Sequence, residues 1–272
     1  MKQCNRKNLL TLCLGAAGAA LRLLQNLTGF EADTGLPIPG NLPGLLLPVL
    51  LALSAVLLLW LGRALPRGPV ELSLGRQLKS VNRGGLCAIL VGGCGMAVSG
   101  VLEMAGSLGR TATAISADGM EIVAAGAGTD RSGAVMGLLS VLAGACLLAG
   151  LIICRKASDQ EPRILLAVPV LLLARLIFAY RLHSVDPVLA NYYIELLALM
   201  LLILAFYRLS GFTVQAGSPR MFSLYGDLTA VLSLTLLADG FTALLPLSGA
   251  AALMGFRQAI QPGWDTAQGT ES

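Results

Sequence analysis

The stretch 43–62, PGLLLPVLLALSAVLLLWLG, decides the fold: it is twenty residues long and contains no charge. As a helix, about 20 residues cross a ~30 Å hydrocarbon core. Seven similar stretches surround it: 9–29, 86–107, 133–154, 164–182, 188–207, 221–238 and 240–256. Together they leave little room for a soluble domain in a chain of 272 residues. Hydrophobic residues make up 56% and charged residues 12%, about half the ~25% charge of a soluble domain. Mean hydropathy is +0.76. Helix is the expected state, because lipid cannot satisfy free backbone groups, and the alternation of a membrane barrel is absent. The expected fold is an all-α integral membrane protein, a bundle of about eight transmembrane helices in one domain, 1–256. A short cytoplasmic tail, 257–272, follows. The last two stretches are short and separated only by Asp239. They read as a tight hairpin or as one kinked, re-entrant element.

Orientation follows from the basic residues. With the N-terminus inside, 14 of the 19 Lys and Arg fall on the inner side, Arg257 among them. Arg110, Arg131 and Arg181 fall outside, and Arg22 and Arg175 lie within spans. That asymmetry fits the positive-inside rule and places both termini in the cytoplasm of a multi-pass cell-membrane protein. The first span has no clear small-residue cleavage site and reads as a retained helix. The loop from Arg63 to Arg83 reads as a topology anchor. The net charge of +4 needs no nucleic-acid partner. None of the six cysteines falls in an outer loop, so structural disulfides are not expected. No His stands near Cys87 and Cys94, so no metal or other cofactor is expected.

Two outer loops stand out. Residues 30–42 read as an irregular cap. Residues 110–132 contain Asp118-Gly119 between weakly β-prone segments, a hairpin signal. Spans three and four are rich in glycine and alanine, which let helix backbones approach closely in lipid.

The chain also carries signs of a four-plus-four duplication. Arg22-Leu23 and Arg175-Leu176 are each followed by an aspartate eleven residues after the arginine, Asp33 and Asp186. Leu-Leu-Ala-Leu recurs at 50–53 and 196–199. Spans three and seven end with an acid and a glycine: Glu103 with Gly106, Asp239 with Gly240. Such halves would be related by an axis along the membrane normal.

Five charges stand in the wrong solvent: Arg22, Glu103, Arg175, Glu195 and Asp227. Charges at such depth face the bundle interior, paired or hydrated. Helical rise puts Arg22, Arg175 and Glu195 ~10 Å from the outer end and Glu103 ~6 Å. Matched depth and opposite sign make Glu195 or Glu103 the expected partner of Arg175. The group reads in three ways: a polar pocket open to the outside, an ion-pair network that fixes packing, or arginines snorkelling to headgroups. Asp227 stands apart near the inner end of span seven. With no basic residue within one turn, it is expected to be protonated and to face other helices.

No enzyme motif is complete. Gly226-Asp227 lacks the partner Tyr-Asp helix of an intramembrane aspartyl protease. Ser99-Gly100 and Ser248-Gly249 lack the first glycine of a serine-protease motif. No phosphate-binding loop is present, so a pump built on this chain would borrow an ATPase partner. The expected function is a small-solute transport component, a carrier or permease-like subunit, with membrane lipids and other membrane subunits as its partners. The alternative is a non-catalytic membrane scaffold or assembly subunit.

Overall fold

The computed structural model describes residues 2–31, 38, 40–64, 74–79, 81–113, 127–156, 162–183 and 192–269. Every element among them is helical. The helices are α1 (Lys2–Thr28), α2 (Leu42–Leu61), α3 (Leu74–Lys79), α4 (Arg83–Thr113), α5 (Ala127–Lys156), α6 (Ala167–His183), α7 (Tyr193–Gly211), α8 (Pro219–Thr235) and α9 (Leu244–Gly269). Seven apolar helical runs are long enough to cross a membrane. Leu53, Val56 and Trp60 on α2 are each more than 60% exposed. In water such a face would be a liability, whereas in lipid it costs nothing.

The seventh run, Pro219–Pro262, has 44 residues and would be ~66 Å long if straight. Instead it doubles back. The 3-10 segment Leu236–Ala243 links α8 to α9, and Gly240 sits at φ 80°, ψ −128°, a conformation that glycine adopts without steric penalty. Asp227 and Arg257, thirty residues apart in sequence, are hydrogen-bonded, which only a hairpin allows. Of the two expected forms, the hairpin is the one observed, so the seventh run forms two helices, α8 and α9.

Helices α4 to α9 form a closed ring. Each packs on its chain neighbour, and α4 packs on α9 to close it. Glycines set the two tightest seams. A Cβ on Gly144 would lie 2.7 Å from the Gly93 carbonyl oxygen, and one on Gly92 would lie 2.6 Å from the Ser248 carbonyl oxygen. Real side chains do not approach backbone that closely, so small residues are required here. This is the close packing expected of spans three and four. Helices α1 and α2 stand outside the ring, with α1 laid along α8.

The packing does not repeat between halves. α1 packs on α2 and α8, whereas its counterpart under the duplication, α6, packs on α5 and α7. The Arg63–Arg83 segment is more than a charged anchor: its short helix α3 buries Leu74 and Leu78 completely against α5 and α9. Helix α9 also runs past Phe256 to Gly269, with Arg257, Ala259 and Ile260 buried. The expected tail therefore begins as bundle helix, because its apolar residues continue the packed face of α9. The Asp118-Gly119 hairpin signal and, within the cap at 30–42, residues 32–37 and 39 lie outside the described residues.

Candidate functional site

At the end of the bundle where Gly240 turns, four of the expected charges meet a fifth, Asp239, that the sequence marks as a span boundary and as the counterpart of Glu103. Arg175 on α6 is 4% exposed and grips the Glu103 carboxylate of α4 through both terminal nitrogens. Nη2 donates to Oε1 at 2.7 Å, and Nη1 donates to Oε2. Nη1 also donates to the Met136 carbonyl at 3.1 Å and the Ser140 hydroxyl at 2.6 Å on α5. One side chain thus ties three helices of the ring together. The forked geometry is the strongest form such a pair takes. Of the two expected partners, Glu103 makes the contact. Glu195 stands within electrostatic reach of Arg175, Glu103 and Asp239.

Arg22 on α1 is 2% exposed. Its Nε donates to both Asp239 oxygens, at 2.9 and 3.1 Å. Gln25 and Asn26, one turn away, complete the arrangement. Gln25 accepts from Arg22 at 3.1 Å. Asn26 donates to Asp239 Oδ1 at 2.8 Å and to the Ala238 carbonyl at 3.3 Å. The partner lies 217 residues away in sequence. Neither arginine snorkels, because each finds a carboxylate on another helix at its own depth.

The sequence pattern matches Arg22 with Arg175, and Glu103 with Asp239. The ion pairs cross between those sets: the arginine of each half holds the acid of the other. The charges are reciprocal although the helix neighbours are not.

A cavity of about 230 Å³ opens beside the ring pair. Ser99, Glu103 and Arg175 form its polar side, Phe241 and Thr242 cover it from the turn between α8 and α9, and Leu245 lines it from the start of α9. Arg22 and Glu195 are not among its lining residues. Glu103 is 36% exposed against 4% for Arg175, so the carboxylate is the charge that faces open space.

Asp227 is buried and faces other helices, as expected; the correction is that it has a basic partner, which comes from another helix. Arg257 on α9 donates to Oδ1, and Ser223 donates to Oδ2 at 3.3 Å. Lys7 on α1 is within electrostatic reach. The sequence shows no cation within one turn of Asp227 on its own helix. The cation comes from the next helix, because α9 carries Arg257 into the core rather than into a tail. Among the described residues, no group of His, Cys, Asp and Glu is placed to hold a metal.

Set against known families, characterised proteins and solved structures, the chain matches none of them.

Proposed function

We propose that this chain is a membrane transport component that accepts a small solute in the cavity between Arg175, Glu103 and the Gly240 turn. One observation carries the reading: an ion pair with a buried arginine and a part-exposed carboxylate lines an open cavity of about 230 Å³ at one end of the helical ring. An ion pair kept only for packing has no need of an adjoining void, since close packing is the rule in protein interiors. The volume lies just under the ~300 Å³ where drug-sized pockets begin, so the solute is small. The sorting of basic residues supports a cell-membrane location with both termini cytoplasmic. The cavity then faces outward.

A second reading, a membrane scaffold, is favoured by Asp227, which Arg257 caps where both side chains are more than nine-tenths buried. Such a pair fixes helix packing and offers nothing to a solute.

Access separates the two. Ser99 is 6% exposed and lines the cavity. A Ser99→Cys change in an otherwise cysteine-free chain provides a reporter. A carrier exposes the introduced thiol to a membrane-impermeant reagent in intact cells and, in inside-out vesicles, from the other face. A scaffold leaves it unreactive from both. The same assay tests orientation: Asp118→Cys should react in intact cells and Lys79→Cys should not, and the reverse would overturn the outward placement.

A further inference from the structure

We propose that the solute class of this cavity is a small organic cation, a primary ammonium on a short apolar body. The inference rests on reading the cavity as a solute site and adds its chemistry. The polar side presents acceptors. Glu103 is the exposed member of its pair, and each carboxylate oxygen keeps lone-pair capacity beyond its bond to Arg175. The Ser99 hydroxyl hydrogen goes to the Met96 carbonyl at 2.8 Å, so what Ser99 offers a ligand is lone pairs. Arg175 is a poor host for an anion. Its Nη1 already serves Glu103, Met136 and Ser140. Its Nε has no hydrogen-bond partner but is buried away from solvent.

Electrostatics agree. The two ion pairs at this end, Arg175–Glu103 and Arg22–Asp239, balance in number, but the guanidiniums are 4% and 2% exposed and the carboxylates 36% and 15%. The charge left facing the opening is negative, which favours a cation. An ammonium supplies three donors and no acceptor, which complements Glu103 and Ser99. Apart from Thr242, the remaining wall is apolar: Leu102, Leu244, Leu245 and Phe241. Phe241 is 84% exposed, and its ring is available to a cation, which aromatic faces attract.

The test uses the full-length chain in detergent with three probes of similar size: n-butylammonium, n-butanol and butyrate. Binding is followed by calorimetry. Butylammonium should bind at least about tenfold more tightly than either of the others, as a hydrogen bond to a charged group predicts. Glu103→Gln should erase that preference. Because it also removes a charge from Arg175 and can impair folding, Phe241→Ala serves as the independent variant. It lies on the exposed turn and should weaken butylammonium about threefold while leaving butanol unchanged. Butanol or butyrate binding as tightly as butylammonium overturns the cation inference and leaves the solute site standing. If none of the three binds, both readings fall together.

Discussion

Removing either member of the Asp227–Arg257 pair should destabilise the bundle, and the two removals should not cost the same. Both side chains are more than nine-tenths buried, and they close the α8–α9 hairpin at the end away from Gly240. Breaking a buried ion pair costs about 3–5 kcal/mol in water-soluble proteins. Membrane hydrogen bonds measure less, about 0.6 kcal/mol on average, because the unfolded chain in lipid also finds partners. A stranded charge is worse than a lost neutral bond, so about 2–4 kcal/mol is the working figure. Arg257→Ala leaves Asp227 with Lys7 in electrostatic reach and with the option of protonating. Asp227→Ala leaves Arg257 unable to deprotonate, with Lys7 nearby. Asp227→Ala should therefore be the more damaging. At about 2–4 °C per kcal/mol for a chain of this size, melting should fall by roughly 5–15 °C. Thermal melts of the purified protein in detergent, taken as a double-mutant cycle, measure it. The double alanine variant should recover about 2 kcal/mol relative to the sum of the singles. Losses that add to within about 0.5 kcal/mol would show that the pair is not coupled. A larger loss for Arg257→Ala would refute the reasoning about which charge is stranded.

Arg175→Ala and Glu103→Ala should each lower the yield of folded protein, with the double change restoring part of it. Pairing Arg175→Ala with Glu195→Ala should give less recovery, since Glu103 makes the direct contact; equal recovery would move the partnership to Glu195. Gly137→Ala places a Cβ 2.5 Å from the Gly100 carbonyl oxygen and should cost about 1–3 kcal/mol as overpacking. Gly106→Ala meets nothing within 4 Å and should be neutral or stabilising by up to about 1 kcal/mol; a melt that ranks them the other way contradicts the α4–α5 seam. Asp239→Asn weakens the hold of Arg22 on the turn that covers the cavity, so it should speed labelling of Ser99→Cys several-fold; an unchanged rate would mean that the turn does not control access.

The helices were legible because hydropathy is a one-dimensional signal and the bilayer sets its length scale. The ends were less so. Helix α9 continues past Phe256 because Ala259 and Ile260 still find the core, and two apolar residues in a polar tail are too few to read as a span. Helix α3 is hidden for the same reason: Leu74 and Leu78 sit among Arg76, Lys79 and Arg83, and two leucines do not outweigh three charges in hydropathy. The tight seams were legible in kind, since glycines in lipid mean close approach. Which glycine meets which backbone was not, because that depends on how each helix is rotated.

The charges show that limit more sharply. Sequence position gives depth along a helix, so Arg175 and Glu103 could be matched at about the right level. It does not give azimuth, and an ion pair needs both. Arg257 was lost because one residue's uncertainty at a helix end moves a charge from loop to core. Asp239 was seen, but as the acid that separates two spans. Its role becomes clear only when α1 lies along α8. There Lys7 stands near Asp227 and Arg22 binds Asp239, so the two helices run parallel with charges engaged at both ends. That seam has a consequence for the site. Helices α1 and α2 lie outside the ring, yet Arg22 and Asn26 hold the residue that precedes Gly240, and Phe241 and Thr242 cover the cavity just beyond it. The glycine gives the turn its freedom, and the appended helix restrains it. A displacement of α1 along α8 would therefore reach the Arg175–Glu103 cavity without any change in the ring that builds it.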